Sequence, residues 1–472
     1  MRFILRFIWI GVERPRKPTW PIMNYHSHKN PDVKALFSEA LLASLAPDGG
    51  LWMPDKIPAF DDKAQAKMAA MSFADCAASL ARFFVDDSFS NADIVHLCRD
   101  AYDFDVPLKT ASGQILDPAT PEIADSYFLE LFHGPTLAFK DFAARFMGRA
   151  ASHLMGKTQQ ERTILVATSG DTGGAIGDAF LNQEGIKVYI LFPKNGVSLV
   201  QEQQLCTMGS ANSNVKAIAI DGTFDDCQKL VKEAFANKTL TQKHNLMSAN
   251  SINVGRVIPQ SFYYFWTSLQ LRAAFPGLPI AYSIPSGNLG NLTGGLIARK
   301  MGAPIDRFIV GNNANDPFVD YLKSGDYTPR ASVPTLSNAM DIGRPNNFPR
   351  ILSLFNNAYK DIDAICWGAS FTDDETERHM RRFFNETGYV MCPHTTIGHL
   401  AMQAFAADID VPFLQVTVAT AHAAKFADSV ERILHEDITL PPALAAVMDK
   451  TKRQHVMEPS IENLSDYLDA NA

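Results

Sequence analysis

The chain has 472 residues, which is enough for two or three domains and a sizeable core. Hydrophobic residues make up 46% and charged residues 20% of it, as is usual for a globular protein. With 43 basic and 51 acidic residues the net charge is −8, so no basic surface indicates nucleic-acid binding. Six scattered cysteines without a C-x-x-C pair predict a reduced, cytoplasmic protein rather than a disulfide framework or a zinc site.

Residues 1–22 contain an apolar stretch that Arg6 interrupts, and no small-residue cleavage site follows it. The stretch is shorter than the roughly 20 apolar residues that span a bilayer, and it lacks the serines of a transit peptide. We expect translation to begin at Met23 and this extension to lie outside the fold; a weak targeting or interfacial segment is the alternative. No later run is apolar enough for a membrane helix, so we expect no membrane partner.

Residues 23–110 have a mainly helical pattern. The segments FSEALLASL and SFADCAASLARFF are amphipathic, and the run Pro-Asp-Gly-Gly at 47–50 is a turn signal between them. We interpret this region as an N-terminal subdomain.

Short apolar strands alternate with helical patterns from about residue 160 onward, which is typical of βαβ units with parallel sheets. The predicted strands are Thr163–Ala167, Val188–Phe192, Val215–Ile220, Ile280–Ile284, Arg307–Val310, Tyr389–Met391 and Pro412–Val418. In open α/β sheets, ligands bind where strands end and helix N-termini begin. The loops after these strands are therefore the candidate binding loops.

The loop from Ser286 to Asn291 follows one such strand and precedes a helical pattern. Gly287 and Gly290 permit a tight turn and let a phosphate approach the backbone, and Asn288 and Asn291 add side-chain amides. The spacing is neither that of a Walker A loop nor G-x-G-x-x-G. Phosphate binding is one interpretation, and a simple turn is the other.

A second glycine-rich loop, Thr168 to Gly174, follows the strand at 163–167. The hydroxyls of Thr168, Ser169 and Thr172, with N–H groups at a helix start, form a cradle for an anion. The alternative is that Ser169 or Asp171 only caps the helix, which is worth about 1 kcal/mol. Four polar residues exceed what capping needs, so binding is favoured.

Two further segments carry candidate groups. Asn250, Ser251 and Arg256 lie within seven residues and could hold a phosphate or carboxylate, unless Arg256 simply faces solvent. Lys140 follows an apolar stretch, and burial would lower the pKa of its amine and make it nucleophilic. A surface ion pair with Asp141 is the alternative there. No metal site is predicted, because His394 and His399 have no acidic third ligand nearby.

Five segments in this chain order resemble the threonine synthases, a family of pyridoxal-phosphate (PLP) dependent enzymes of fold type II, in the longer branch of bacteria and fungi. The segments are HGPTLAFKDFAARFMGR (133–149), ATSGDTGGAIGDAF, SANSINVGRVIPQ, PSGNLGNLTGGL and VATAHAAKF. Residues 23–58 resemble the amino end of the family, and the resemblance extends over about 23–470.

The resemblance implies an α/β fold like that of tryptophan synthase β, with two open, twisted, parallel-sheet domains and a mainly helical N-terminal subdomain. We expect this subdomain at 23–110 and a smaller, mobile α/β domain at 151–250. Residues 111–150 and 251–472 would form a large PLP-binding domain.

For the cofactor, the resemblance implies that Lys140 carries PLP as a Schiff base and then moves protons. Thr420 would face the pyridine nitrogen, and Asp171 would lie near the ring oxygen. The residues expected around the cofactor phosphate are Gly287, Asn288, Leu289, Gly290 and Asn291. Two of these residues depart from the family pattern. Leu289 stands where the family often has an aromatic residue, and Asn291 stands where close relatives commonly have an acidic residue. Both changes look tolerable because backbone N–H groups bind the phosphate.

For the substrate, the resemblance implies that Thr168, Ser169 and Thr172 hold anionic groups. Asn250, Ser251 and Arg256 would bind the phosphate of O-phospho-L-homoserine.

The implied reaction is that of a carbon–oxygen lyase acting on phosphates, the last step of threonine biosynthesis. It turns O-phospho-L-homoserine and water into L-threonine and phosphate by PLP-dependent β,γ-elimination and replacement. We expect a monomer or a homodimer. A serine or threonine dehydratase of the same fold, and a non-catalytic relative that binds PLP or a phosphorylated metabolite, are the alternatives.

Overall fold

The computed structural model of the protein describes residues 23–158, 161–208 and 212–471. The expectations for residues 1–22 lie outside these described residues. The strands and helices fall into an N-terminal region and two groups, each built on one sheet.

The N-terminal region is mainly helical, as predicted, and also contains a small antiparallel sheet of order β2-β1-β3. Its elements are β1 (Asn24–Ser27), β2 (Lys34–Leu36), α1 (Phe37–Ala43), β3 (Trp52–Pro54), α2 (Asp62–Ala69), α3 (Phe73–Ala81) and α4 (Asn91–Ala101). Helices α3 and α4 begin at side-chain caps: the Ser72 hydroxyl accepts from the N–H of Asp75, and Ser90 forms a capping box with Asp93.

Two strands and one long helix come next: β4 (Leu108–Thr110), β5 (Tyr127–Glu130) and α5 (Lys140–Thr158). The smaller sheet then begins. Its elements are β6 (Arg162–Ala167), α6 (Asp171–Phe180), β7 (Ile186–Pro193), α7 (Leu199–Cys206), β8 (Val215–Ile220), α8 (Phe224–Ala236), α9 (Lys238–His244) and β9 (Leu246–Ser248).

The remaining elements include most of the larger sheet and its cover, followed by the C-terminal segment from α18 onward. They are α10 (Gln260–Ala274), β10 (Ile280–Pro285), α11 (Gly290–Lys300), β11 (Arg307–Asn312), α12 (Pro317–Ser324), α13 (Phe348–Leu354), α14 (Tyr359–Asp363), β12 (Cys366–Ser370), α15 (Asp373–Thr387), α16 (Pro393–Ala406), β13 (Leu414–Ala419), α17 (Ala427–Leu434), α18 (Pro442–Met448), β14 (His455–Met457) and α19 (Ile461–Ala470).

The larger sheet has the order β12-β11-β10-β13-β5-β4, and the smaller one has the order β14-β8-β7-β6-β9. All pairs are parallel except β4 with β5. Central strands such as β7 and β10 read as continuous apolar runs because helices cover both faces of a parallel sheet. The predicted α/β class is confirmed.

The predicted strand Tyr389–Met391 is wrong. These residues form an irregular connection between α15 and α16, and Met391 packs with Phe128 and Phe383 against the sheet. Tyr389 also stacks on Phe128 of β5 (4.4 Å between ring centroids), so the segment packs on the sheet through its side chains and does not pair as a strand. Several strands of three to five residues, among them β5, β9 and β12, were not predicted.

The C-terminal segment departs from the predicted division, which placed all of 251–472 in the larger domain. Strand β14 pairs in parallel with β8 of the smaller sheet, and Leu464 and Leu468 of α19 join the core beneath it. Gln203 of α7 donates to the backbone carbonyls of Val447 and Met448 at the end of α18. Residues from α18 onward therefore pack with the smaller sheet. Of the residues that the structure describes, no helix is long and apolar enough to cross a membrane.

The substitution Leu464→Ala tests this packing. Leu464 is fully buried, so removing its methyl groups should lower the free energy of unfolding by about 2–5 kcal/mol in urea titrations. Leu199, which is 60% exposed, is the matched control; Leu199→Ala should change that free energy by less than about 0.5 kcal/mol. Equal effects of the two substitutions would contradict the placement of α19.

Candidate active site

A cavity of about 630 Å³ lies where the carboxyl ends of strands from both sheets meet. All fourteen site residues predicted from the sequence line it. They are Lys140, Thr168, Ser169, Asp171, Thr172, Asn250, Ser251, Arg256, Gly287, Asn288, Leu289, Gly290, Asn291 and Thr420. The loops after β6, β9, β10 and β13 supply all of them except Lys140, the first residue of α5.

Lys140 is positioned by a short antiparallel pairing with the segment after β13. The N–H of Phe139 donates to the carbonyl of Thr420 (2.8 Å), and the N–H of His422 donates to the carbonyl of Leu137 (3.1 Å). Leu137 adopts φ 57°, a left-handed conformation that lets the chain turn into α5. The first turn of α5 therefore starts beside Thr420, and the amine of Lys140 reaches the cavity.

The surroundings of Lys140 favour a neutral amine. Burial lowers its pKa to about 8; the carboxylate of Asp171 opposes this effect, and the nearby cations Arg256 and Lys425 add to it. An amine with this pKa is partly unprotonated near neutral pH, so it can act as a nucleophile and as a base.

The alternative of a surface ion pair between Lys140 and Asp141 is wrong. Asp141 is fully buried, and its carboxylate accepts hydrogen bonds from the backbone N–H and the hydroxyl of Thr136. Burial raises the pKa of Asp141 to about 6. Asp141 thus holds the turn before α5 and leaves the amine of Lys140 free.

In the loop after β6, the helix is capped by Thr168 and not by the residues expected. The Thr168 hydroxyl oxygen accepts from the N–H groups of Gly170 (2.9 Å) and Gly173 (2.8 Å). The proposed caps Ser169 and Asp171 form no such bond. Thr168 therefore shapes the loop and retains one hydroxyl hydrogen that it can donate to a ligand.

Asp171 instead forms a buried ion pair that sequence reasoning missed. Its carboxylate lies 3.0 Å from the Lys425 amine and accepts from the side-chain amide of Gln201 (3.0 Å). Burial alone would raise the pKa of Asp171, but Lys425 and Lys140 hold it well below its usual range. Lys425 also donates to the carbonyl of Thr136 (2.6 Å), which links Asp171 to the turn before α5.

The Ser286–Asn291 loop presents its backbone to the cavity. The N–H groups of Gly287, Asn288 and Leu289 have no hydrogen-bond partner among the described residues. A Cβ atom at Gly287 would lie 2.7 Å from Cα of Met340, so only glycine fits there. The free N–H groups at the start of α11 form an anion cradle that suits a phosphate group.

The two asparagine amides of this loop are used inside the protein. Asn291 accepts from the Ser286 hydroxyl (2.6 Å) and donates to the carbonyl of Pro285 (2.9 Å). Asn288 donates to the Ser251 hydroxyl (2.8 Å). These bonds hold the loop in shape and leave each amide one further N–H hydrogen, so the expectation that the two amides also contact a phosphate stays a prediction.

Arg256 is a buried cation that forms no ion pair with any acidic residue in the part of the chain that the structure describes. It is 3% exposed, which excludes the solvent-facing alternative. Its only hydrogen bond to a described residue runs from Nη1 to the carbonyl of Ala249 (2.5 Å), and its Nε atom is buried without a partner. Burial lowers the pKa of Arg256 to about 10. A buried, unpaired guanidinium at a cavity wall is a binding group for an anion.

Two other residues of the same segment lie beside it. Asn250 donates to the carbonyl of Ala167 (3.0 Å) and so connects the end of β9 to the end of β6. Ser251 is bound to Asn288, which joins this segment to the loop after β10. Two anion-binding groups thus line the same cavity as Lys140.

His394 also lines the cavity, and the sequence did not predict it as a residue of this site. Its Nε2 atom accepts from the N–H of Ala339 (3.2 Å), and burial lowers its pKa to about 4, so it is neutral. His399 lies elsewhere, bonded to His379 (2.8 Å). No spacing signal in the sequence distinguishes these two histidines.

The residues present fit PLP. The cofactor needs a buried lysine with a lowered pKa, an anion cradle for its phosphate and a polar group for its ring nitrogen. Lys140, the N–H groups of the loop after β10, and the Thr420 hydroxyl, which has no hydrogen bond to another described residue, provide these in one cavity.

Comparisons with known proteins agree with this geometry. Residues 123–425 match the family of pyridoxal-phosphate dependent enzymes, residues 24–102 match the threonine synthase N terminus, and residues 395–468 match the threonine synthase C-terminal region. The chain is 38% identical over 441 residues to threonine synthase of Haemophilus influenzae, covering 93% of this chain and 97% of that protein.

Two solved structures have the same fold. Threonine synthase from Escherichia coli superposes with a TM-score of 0.85 at 35% identity and covers 95% of this chain and 100% of that one. PLP-bound threonine synthase from Brucella melitensis superposes with a TM-score of 0.86 at 32% identity. The match covers 94% of this chain and 98% of that one.

Fold, cavity and matches together define a PLP-dependent enzyme of fold type II, and pyridoxal phosphate is its cofactor. The chain belongs to the threonine synthase family, and its function is that of the family.

A pH titration tests the electrostatics around Lys140. In the cofactor-free protein, the rate at which pyridoxal attaches to Lys140 should rise with pH through a midpoint near its pKa of about 8, because only the neutral amine attacks a carbonyl. Asp171→Asn should lower the midpoint, since the Asp171 carboxylate raises the pKa of Lys140. Absorbance gives the rates, and Lys140→Ala is the control without attachment. An unchanged midpoint in Asp171→Asn would count against this electrostatic role.

Proposed function

We propose that the chain converts O-phospho-L-homoserine and water into L-threonine and inorganic phosphate at this cavity. The observation that carries the proposal is the presence of two separate anion-binding groups beside one lysine. The backbone cradle after β10 suits the phosphate of the cofactor, and Arg256 suits the phosphate of the substrate. An enzyme whose substrate carries no phosphate needs only the backbone cradle for the cofactor phosphate.

The residues divide into those that hold the cofactor and those that act on the substrate. Lys140 would bind the cofactor covalently, Thr420 would contact the nitrogen of the cofactor ring, and Asp171 would lie near the oxygen on that ring. The loop Gly287–Asn291 would surround its phosphate. When bound, PLP supplies an electron sink for negative charge on the substrate carbon next to the amino group.

Lys140 is the proposed base. Once the substrate amino group has replaced Lys140 on the cofactor, the freed Lys140 amine, with a pKa near 8, can take the proton from the substrate Cα. Loss of a Cβ proton would then break the Cγ–O bond and release phosphate. A proton would return at Cγ, and water would add with its oxygen at Cβ and a proton at Cα, which gives L-threonine.

Arg256, Asn250 and Ser251 are proposed to hold the leaving phosphate. A guanidinium fork fixes the direction of the Cγ–O bond and stabilises the charge that develops on the departing oxygen. Ser169 and Thr172, together with the remaining hydroxyl hydrogen of Thr168, would hold the substrate carboxylate.

We further propose that residues 151–250, together with the C-terminal segment that packs on them, move as the smaller unit. From the smaller unit, Phe224 and Lys232 of α8 line the cavity, and from the rest of the chain Arg330 and Arg344 line it as well. Closure of these two parts would exclude water before the phosphate leaves.

A reducing cytoplasmic location and a monomeric or homodimeric state remain part of this proposal. The six free cysteines are all buried, which suits a compartment where thiols stay reduced.

Borohydride reduction of the PLP-loaded protein, followed by peptide mapping, tests the role of Lys140. The label should lie on Lys140, and Lys140→Ala should lose both the label and phosphate release from O-phospho-L-homoserine. Lys157→Ala, which changes the last turn of the same helix, is the matched control and should keep both. A label on another lysine would refute the assignment.

Steady-state kinetics test the role of Arg256. Arg256→Ala should lower kcat/KM for O-phospho-L-homoserine at least about 30-fold, because losing a buried charged contact costs about 2–5 kcal/mol. The exposed Arg378 of α15 is the control, and its alanine variant should keep the value of the unsubstituted enzyme. A loss under about threefold, or equal turnover of serine, would favour a dehydratase.

A further inference from the structure

Arg350, on α13, is a buried arginine near the site in addition to Arg256, and it does not line the cavity. It is 1% exposed, and no carboxylate of a described residue lies within ion-pair distance. Burial lowers its pKa to about 9. Because an unpaired buried guanidinium is costly, its contacts indicate what it contributes.

All acceptors of Arg350 are uncharged oxygen atoms, and two of them are backbone carbonyls of residues 251 and 252, in the segment before Arg256. Nη1 donates to the carbonyl of Ser251 (3.0 Å) and to the side-chain oxygen of Asn347 (2.5 Å). Nη2 donates to the carbonyl of Ile252 (2.6 Å), and Nε donates to the carbonyl of Trp52 in β3 (3.4 Å). The guanidinium thus holds two consecutive carbonyls of the segment that leads to Arg256.

The same contacts close a ring with the cofactor loop. The Asn347 amide donates to the carbonyl of Asn288 (3.0 Å), and the Asn288 amide donates to the Ser251 hydroxyl (2.8 Å). Arg350 is bonded to both Ser251 and Asn347. Four residues therefore connect the loop after β10 to the segment before Arg256, and each of the four takes part in two bonds of the ring.

We propose that Arg350 is a positioning residue that fixes the distance and orientation between the two anion-binding groups of the site. This inference rests on the proposed function, in which the loop after β10 holds the cofactor phosphate and Arg256 holds the substrate phosphate. The reacting carbons lie between two anchored phosphates, so a change in their separation misplaces the Cα and Cβ protons relative to Lys140. A displacement of about 1 Å at such a site lowers the rate about 100-fold.

Arg145 of α5 shows what a purely structural buried arginine looks like in this chain. It is 7% exposed and paired with Asp103 (2.7 Å), and it donates to the carbonyl of Ala101. Its contacts lie with the N-terminal region and, through Asp178 (3.8 Å), with α6, and none of its hydrogen bonds or ion pairs to described residues involves the loop after β10 or the segment before Arg256. Arg145 is therefore the matched control for Arg350.

The test uses the PLP-loaded enzyme: its affinity for PLP is measured from the loss of PLP absorbance on dilution and dialysis, and its affinity for inorganic phosphate is measured by calorimetry. Arg350→Met should weaken both affinities and lower kcat/KM at least about tenfold each, and Arg350→Lys should recover part of each loss. Arg145→Met should lower Tm and keep both affinities within about threefold of the unsubstituted enzyme. Affinities within threefold in Arg350→Met would overturn the proposal.

A double-mutant cycle separates positioning from general stability. Asn347→Ala opens the same ring, so adding it to Arg350→Met or Arg350→Lys should cause little further loss in phosphate affinity or kcat/KM. Its effect together with Arg145→Met should be additive. Additive losses for Arg350 and Asn347 would show independent structural roles and overturn the inference. Should Arg350→Met fail to fold, Arg350→Lys carries the cycle.

The two proposals fail in different ways. If the unsubstituted enzyme released no phosphate from O-phospho-L-homoserine, the proposed function would be wrong. The two binding affinities do not depend on turnover, so they would still decide whether Arg350 couples the two loops.

Discussion

The position of Lys140 depends on a short antiparallel pairing between residues 137–139 and residues 420–422. Strand β5 ends at Glu130, and the chain crosses to the end of β13, where the segment 137–139 pairs with 420–422. The left-handed turn at Leu137 then directs α5 away from the sheet, so that its first residue is left at the cavity. Asp141 secures this turn from within the core, which is why its charge is unavailable to Lys140. The chemistry of the amine follows from this backbone arrangement.

The second constraint is an excess of buried positive charge. Asp171 neutralises Lys425, whereas Arg256 and Arg350 have no acidic partner among the described residues. Burying unpaired cations destabilises a protein unless anions approach them, so phosphate-bearing ligands should stabilise this fold by mass action. Burial is the main cause of the lowered pKa of Lys140, and the cations Arg256 and Lys425 lower that pKa further. Arg256 therefore contributes both to anion binding and to the reactivity of the amine.

The sequence predicted the parts of this site whose signals are local. A strand, a glycine-rich turn and a helix follow one another within about twenty residues, and both loops found in this way line the cavity. Contacts between distant segments leave no such signal. Arg350 lies in an ordinary apolar stretch, and the orientation of the Asn288 and Asn291 amides depends on neighbours in other loops. Strand β14 is three residues long and pairs with β8 more than 200 residues earlier, so periodicity cannot reveal it.

These constraints separate a fixed part of the site from an adjustable one. The ring through Arg350 locks the cofactor loop to the segment before Arg256, so the two phosphate positions form one preassembled unit. The loop at 168–172, which carries the hydroxyls of Thr168, Ser169 and Thr172, belongs to the smaller sheet. It is connected to that unit by the hydrogen bond from Asn250, just after β9, to the carbonyl of Ala167. Motion of the smaller sheet would therefore change the distance from this loop to the substrate while the two phosphates stay in place. A substrate anchored by its phosphate can recruit the 168–172 loop through its carboxylate, so that closure depends on a ligand that carries both anionic groups.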